Sequence, residues 1–120
     1  MAVSSTFKAF ILEQLEAVVP VTSRSMFGGV GIYSDGLFFA LMDDDRLYFK
    51  VDDDSRPRFQ AAGMGAFDPF KNGKTMNGYF ELPGEVLEDE DALSGWVQEA
   101  LAVAARAAKK KPAKKPKSKM

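Results

Sequence analysis

Seven lysines crowd the last twelve residues, at Lys109, Lys110, Lys111, Lys114, Lys115, Lys117 and Lys119, with no acid among them. Like-charge repulsion and the two prolines, Pro112 and Pro116, keep such a segment extended, and it has too little apolar surface to fold. Its chemistry is that of a polyanion tracker. Each phosphate met by a lysine releases a counterion and adds a log–log salt slope of ~0.9 on duplex and ~0.7 on single strands. With no aromatic ring and no guanidinium fork, the segment is expected to contact DNA without reading its sequence. Two other roles stay open: docking back on an acidic body, and solubility. No membrane partner is expected, because no lipid-anchor motif or amphipathic apolar patch accompanies the lysines.

Other reactive groups are sparse. Cysteine and histidine are absent, which removes disulfides, thiol nucleophiles, ordinary zinc sites, imidazole acid–base chemistry and the Ser-His-Asp triad. Carboxylate, lysine, tyrosine or magnesium chemistry remains, and no paired acid–base set stands out. The chain is therefore read as non-enzymatic. Asp43-Asp44-Asp45 and Asp52-Asp53-Asp54 invite a metal. A strand between them, at ~3.3 Å per residue, would hold the triplets on the order of 20–25 Å apart. Neither fits a calcium loop, whose sixth position needs glycine where this chain has Tyr48 or Pro57. Solvated turns that discourage edge pairing are the expectation. Tyr48, Lys50, Lys74 and Tyr79 could stack and neutralise a single strand. Spread over separate strands of an acidic body, they read better as sheet packing with snorkelling lysines.

The formal net charge of −1 over 120 residues conceals a segregated molecule. Without the seven terminal lysines, nine basic side chains face 17 acidic ones, so residues 1–108 carry −8. The division expected is one domain over 1–108 and a disordered basic tail over 109–120. At 46% hydrophobic and 12% aromatic, with ten phenylalanines, the body has the means for a packed sheet and core. No run reaches the ~18 apolar residues of a membrane span, and no signal-peptide pattern opens the chain, so cytoplasmic residence is expected.

The elements follow from periodicity. Phe7, Phe10, Ile11, Leu15 and Val18 predict a helix over about 5–18, capped by Ser4 or Ser5 and ended by Pro20. A glycine-bearing strand is expected from Arg24 to Tyr33, then a two-residue hairpin turn at Asp35-Gly36. Leu37–Met42 is apolar on both faces, whereas Leu47, Phe49 and Val51 alternate with Tyr48 and Lys50. Asp54 or Ser55 caps a short helix through Phe59 to Ala62, with Pro57 in its first turn. A short edge strand over 66–70, a turn at Asn72-Gly73 and a strand over 76–82 come next. A helix over about 89–108 closes the body, its stripe being Leu93, Trp96, Val97, Ala100, Leu101 and Ala104, with acids at its start. The prediction is a two-layer α+β fold in the order α-βββ-α-ββ-α, with helices on one antiparallel sheet of about five strands.

Arg24-Ser25-Met26-Phe27-Gly28-Gly29-Val30-Gly31 places three glycines where a strand is expected, which points to a bulge, a close backbone approach or close helix packing. It is no phosphate loop, since neither a further glycine opening a helix nor a Gly-Lys-Ser/Thr follows. Arg24, the only charge in the motif, suits a nucleic-acid phosphate, a partner's carboxylate or, the favoured reading, an acid of this chain such as one on the last helix. The motif residues Arg24, Met26, Phe27, Gly28, Gly29 and Gly31 resemble the signature of the TfoX/Sxy amino-terminal domain family. Leu47-Tyr48-Phe49-Lys50-Val51-Asp52, Phe67-x-x-Phe70, Gly73-Lys74 and Tyr79-Phe80-x-x-Pro83 continue the resemblance through most of residues 5–100. It implies a compact cofactor-free domain that regulates natural DNA uptake (competence) through protein or DNA contacts. In the family's two-domain regulators a helical domain follows, where this chain has its lysine–proline tail, itself similar to those of linker histones. The expectation is a regulatory adaptor whose body meets a protein such as a transcription regulator while the tail supplies DNA affinity. The alternative is a protein-interaction module alone, homodimeric through an exposed strand or an outer helix face.

Overall fold

Ser4 starts the first element. Its Oγ accepts the Phe7 N–H at 3.1 Å, capping α1 (Ser5–Glu16), which buries Ile11 and Leu15. The computed structural model describes residues 3–26, 29–68, 73 and 75–114, without the side chains of Met26, Asn77 and residues 109–114.

The segment from Arg24 to Tyr33 is not one strand. It is a hairpin of β1 (Thr22–Met26) and β2 (Gly29–Ser34), in register from Thr22 opposite Tyr33 to Met26 opposite Gly29. Of the described motif glycines, Gly29 opens β2 and Gly31 lies within it, opposite Arg24 and Leu41. The sheet therefore has six strands rather than five. Phe27 and Gly28 lie outside the described residues.

β3 (Leu37–Asp43) follows the expected Asp35-Gly36 turn, whose φ angles of 56° and 79° match the twist of the flanking strands. β4 (Arg46–Lys50) follows a second turn, with Asp44 and Asp45 at φ 54° and 56°, a conformation aspartate tolerates. The first aspartate triplet is thus not simply a solvated turn. Asp43 ends β3 and is buried, while Asp45 Oδ1 accepts the Ser4 N–H at 2.8 Å and ties down the start of α1. β5 (Ala66–Phe67) and β6 (Met76–Glu81) complete an antiparallel sheet in the order β1-β2-β3-β4-β6-β5. The strand expected over 66–70 is assigned only to Phe67, and Pro69 and Phe70 lie outside the described residues.

Between β2 and β3 the register steps from Ile32–Ala40 to Tyr33–Phe38, leaving Phe39 as the extra residue of a bulge. Phe39 consequently joins Ala40 and Met42 in the core beneath the helices, against Phe49 at 5.8 Å edge-to-face. Ile11 and Leu15 of α1 and Leu93, Val97 and Ala100 of the last helix close that core. The opposite face of the sheet holds a second cluster of Leu41, Tyr48, Phe67 and Tyr79 with Phe38 against it.

The short helix α2 (Arg56–Ala61) starts at Ser55, but not by an ordinary cap. Ser55 Oγ accepts the Asp52 N–H at 3.0 Å, and Asp52 Oδ1 accepts the N–H groups of Asp54 and Ser55 at 3.1 and 3.0 Å. After a 3-10 turn (Gly84–Glu88), α3 (Glu90–Lys114) begins with its acids in the first turn and the Ala92 N–H on Asp89 Oδ1. It runs past the expected end at 108 to Lys114, so the lysine segment is helical there and not extended as expected, even though Pro112 lacks an N–H to donate to the helix.

Candidate functional site

Pairing places Arg24, Gly31, Leu41, Tyr48 and Glu81 in one row across β1, β2, β3, β4 and β6, on the face away from the core. The Arg24 guanidinium lies 6.0 Å from the Tyr33 ring centroid. From there aromatic contacts continue through Tyr33–Phe38 at 5.1 Å and Phe38–Tyr79 at 5.8 Å. At the far end Lys50 sits 4.9 Å from the Tyr79 ring and donates to its Oη at 3.2 Å. The strip has a cation at each end. Tyr48 and Tyr79 are buried within it, so these rings pack the sheet instead of offering open faces, and burial pushes the Tyr48 phenol up. Lys74 lies outside the described residues.

The ion pair expected for Arg24 does not form among the described residues. Arg46–Glu81 at 3.2 Å, Arg56–Asp53 at 2.9 Å, Arg58–Glu99 at 2.8 Å and Arg106–Asp52 at 2.5 Å engage the other four arginines. Arg24 projects from the edge strand on the face opposite the helical layer, out of reach of the acids on α3.

The tail is set by α3. Arg106, two residues before the expected tail boundary, donates to Asp52 Oδ2, while Oδ1 of the same carboxylate holds the start of α2. One turn group thus fastens both helices. Arg58 also lies 3.9 Å over the Trp96 ring while pairing with Glu99. Beside this anchorage, Ala104, Ala107 and Ala108 face Phe38, Lys50 and Tyr79 across a shallow groove of about 270 Å³. Lys109, Lys110, Lys111 and Lys114 then continue α3, and Lys115, Lys117 and Lys119 lie outside the described residues.

The Arg106 hydrogen bond, helped by those of Ser55, lowers the Asp52 carboxyl from 3.8 to about 2 against the opposing effect of burial. The folded chain therefore binds fewer protons there than the unfolded one, so the stabilisation is complete above about pH 4 and is lost as pH falls toward 2. Asp52→Asn should narrow its stability gap to the wild type across that window, as followed by urea unfolding at stepped pH. A constant gap down to pH ~2 would remove the assignment.

Sequence reasoning missed this latch. A helix start at Ser55 was legible, but the bonds between Asp52 and Ser55 were not read, and Arg106 lies 54 positions from Asp52, where only the fold brings it in. Among the described residues no three carboxylates converge on a metal position.

The family model of the TfoX N-terminal domain matches residues 13–104. The DNA transformation protein TfoX1 of Aliivibrio fischeri is 38% identical over 81 residues, which cover 65% of this chain and 38% of that protein. The matched part of the chain thus corresponds to well under half the length of this curated relative.

Proposed function

The chain belongs to the TfoX N-terminal domain family, and on that premise we propose a non-enzymatic regulatory adaptor whose body meets a protein partner while its lysines add sequence-independent DNA affinity. The printed name of the Aliivibrio relative, a DNA transformation protein, supports taking DNA uptake as the regulated process. The observation that carries the reading is the separation of charge: −8 over residues 1–108 and seven lysines beyond. An acidic body repels phosphate, so DNA contact falls to the lysines and the body is left for protein. Among the described residues no helix is long and apolar enough to cross a membrane, and the proposal places the protein in the cytoplasm, beside the chromosome.

Fluorescence anisotropy on a generic duplex across a salt series tests the DNA half. The full chain should bind with a log–log slope of about 6, seven contacts at ~0.9 each. Changing all seven lysines to glutamine should abolish that binding. A slope near zero, or equal binding by the glutamine variant, would overturn it, and the second outcome would move DNA contact to the body.

A further inference from the structure

We propose that β1 is a strand-addition site that takes an extended acidic segment of a partner protein, with Arg24 opposite the partner's carboxylate. The proposal rests on the adaptor reading above and names its protein interface. β1 is the outermost strand of the sheet, paired to β2 on one side and to no described strand on the other. Every second residue of such a strand leaves its N–H and C=O unpaired, a template for another chain.

Sheet edges are ordinarily blunted by shortness, lysine, proline or a bulge. The opposite edge, β5, is two residues long. β1 has five residues, Thr-Ser-Arg-Ser-Met, with neither lysine nor proline and with Thr22, Arg24 and Ser25 exposed. A guanidinium that an acidic body leaves without an ion pair among the described residues is suited to a carboxylate arriving from outside.

Register supplies the rest of the specificity. Ser23 ends the core-facing row Ile32–Ala40–Phe49–Phe80, and Ser25 ends the row Val30–Met42–Leu47. Apolar side chains on an added strand would extend both rows over these small serines, while a carboxylate on its other face meets Arg24. The fitting sequence alternates apolar, acidic, apolar. A second copy of this chain fits less well, because antiparallel pairing centred on Arg24 sets two guanidinium groups opposite each other. Nucleic acid lacks the backbone amides that a strand edge pairs with.

Panning a displayed library of short random peptides on the full chain tests this, with hydrogen exchange by NMR locating the recovered peptides. The expected yield alternates apolar and acidic residues, and slows exchange at alternate amides of β1. Arg24→Glu should weaken those peptides about fivefold or more and shift the panning toward basic sequences. Arg24→Gln, which keeps an uncharged polar side chain, gives a second reading if the reversal disturbs folding. Recovered peptides that lack acids, ignore both substitutions or slow exchange only on the helices overturn the edge site, and the adaptor reading survives. An empty selection overturns both. Concentration-dependent dimerisation that protects β1 gives the edge to a second copy and also overturns the proposal. DNA anisotropy of the Arg24 variants stays unchanged in every case, because the lysines act separately.

Discussion

Gly29→Ala should lower the unfolding free energy by about 2–3 kcal/mol, the cost of forcing an atom into a packed site that cannot give way. Gly29 opens β2 opposite Met26, and a Cβ there would press into the carbonyl oxygen of Met42 on β3. That neighbour is backbone, so no side-chain rotation relieves the clash and β2 must move away from β3. The movement would pull Val30 from Met42, its partner in the pairing and in the core. Gly65→Ala is the matched control, since a Cβ at Gly65 meets nothing within 4 Å and the backbone imposes no positive φ. Its change should stay within about 0.5 kcal/mol, or be slightly stabilising through the unfolded state. Urea midpoints for the two variants decide it. Equal losses at both positions would mean that glycine composition, not the approach to Met42, sets the effect.

Gly29 also shows how far the sequence could be read. Close backbone approach was legible because glycine inside a strand pattern has few other uses. That Gly29 opens a separate strand, paired back on Met26, was not, since the pattern from Arg24 to Tyr33 reads as one strand. The Asp35-Gly36 turn, the cap at Ser4 and the alternation of β4 depend on neighbours a few residues apart, and each was visible. Burial of Asp43, the Asp52–Arg106 latch and the lack of an ion pair at Arg24 among the described residues depend on which face each strand presents. The bulge at Phe39 alters that assignment for half of β3, and no local pattern announces it. Of the candidate site, the lysine run was plain from charge alone. The edge position of Arg24 needed the strand order.

Phe49→Ala should cost about 3–5 kcal/mol, much of the 5–15 kcal/mol that is typical of a whole domain. Phe49 is fully buried in β4, between Ala40 on β3 and Phe80 on β6, with its ring edge-on to Phe39. Ala40 is too small to fill the space left behind, and Phe39 is fixed by the bulge, so the cavity should persist. A fall in Tm of roughly 15 °C or more follows, measurable by calorimetry. The variant also separates the two halves of the proposed function. Between the two melting temperatures its body is unfolded, so the β1 edge and any peptide seated on it are lost. The lysines need no fold to meet phosphate, so DNA binding should keep its salt slope of about 6 at that temperature. DNA affinity that instead melts with the fold would place the contact on the body, and the acidic surface would have to contain a basic site that charge counting does not reveal.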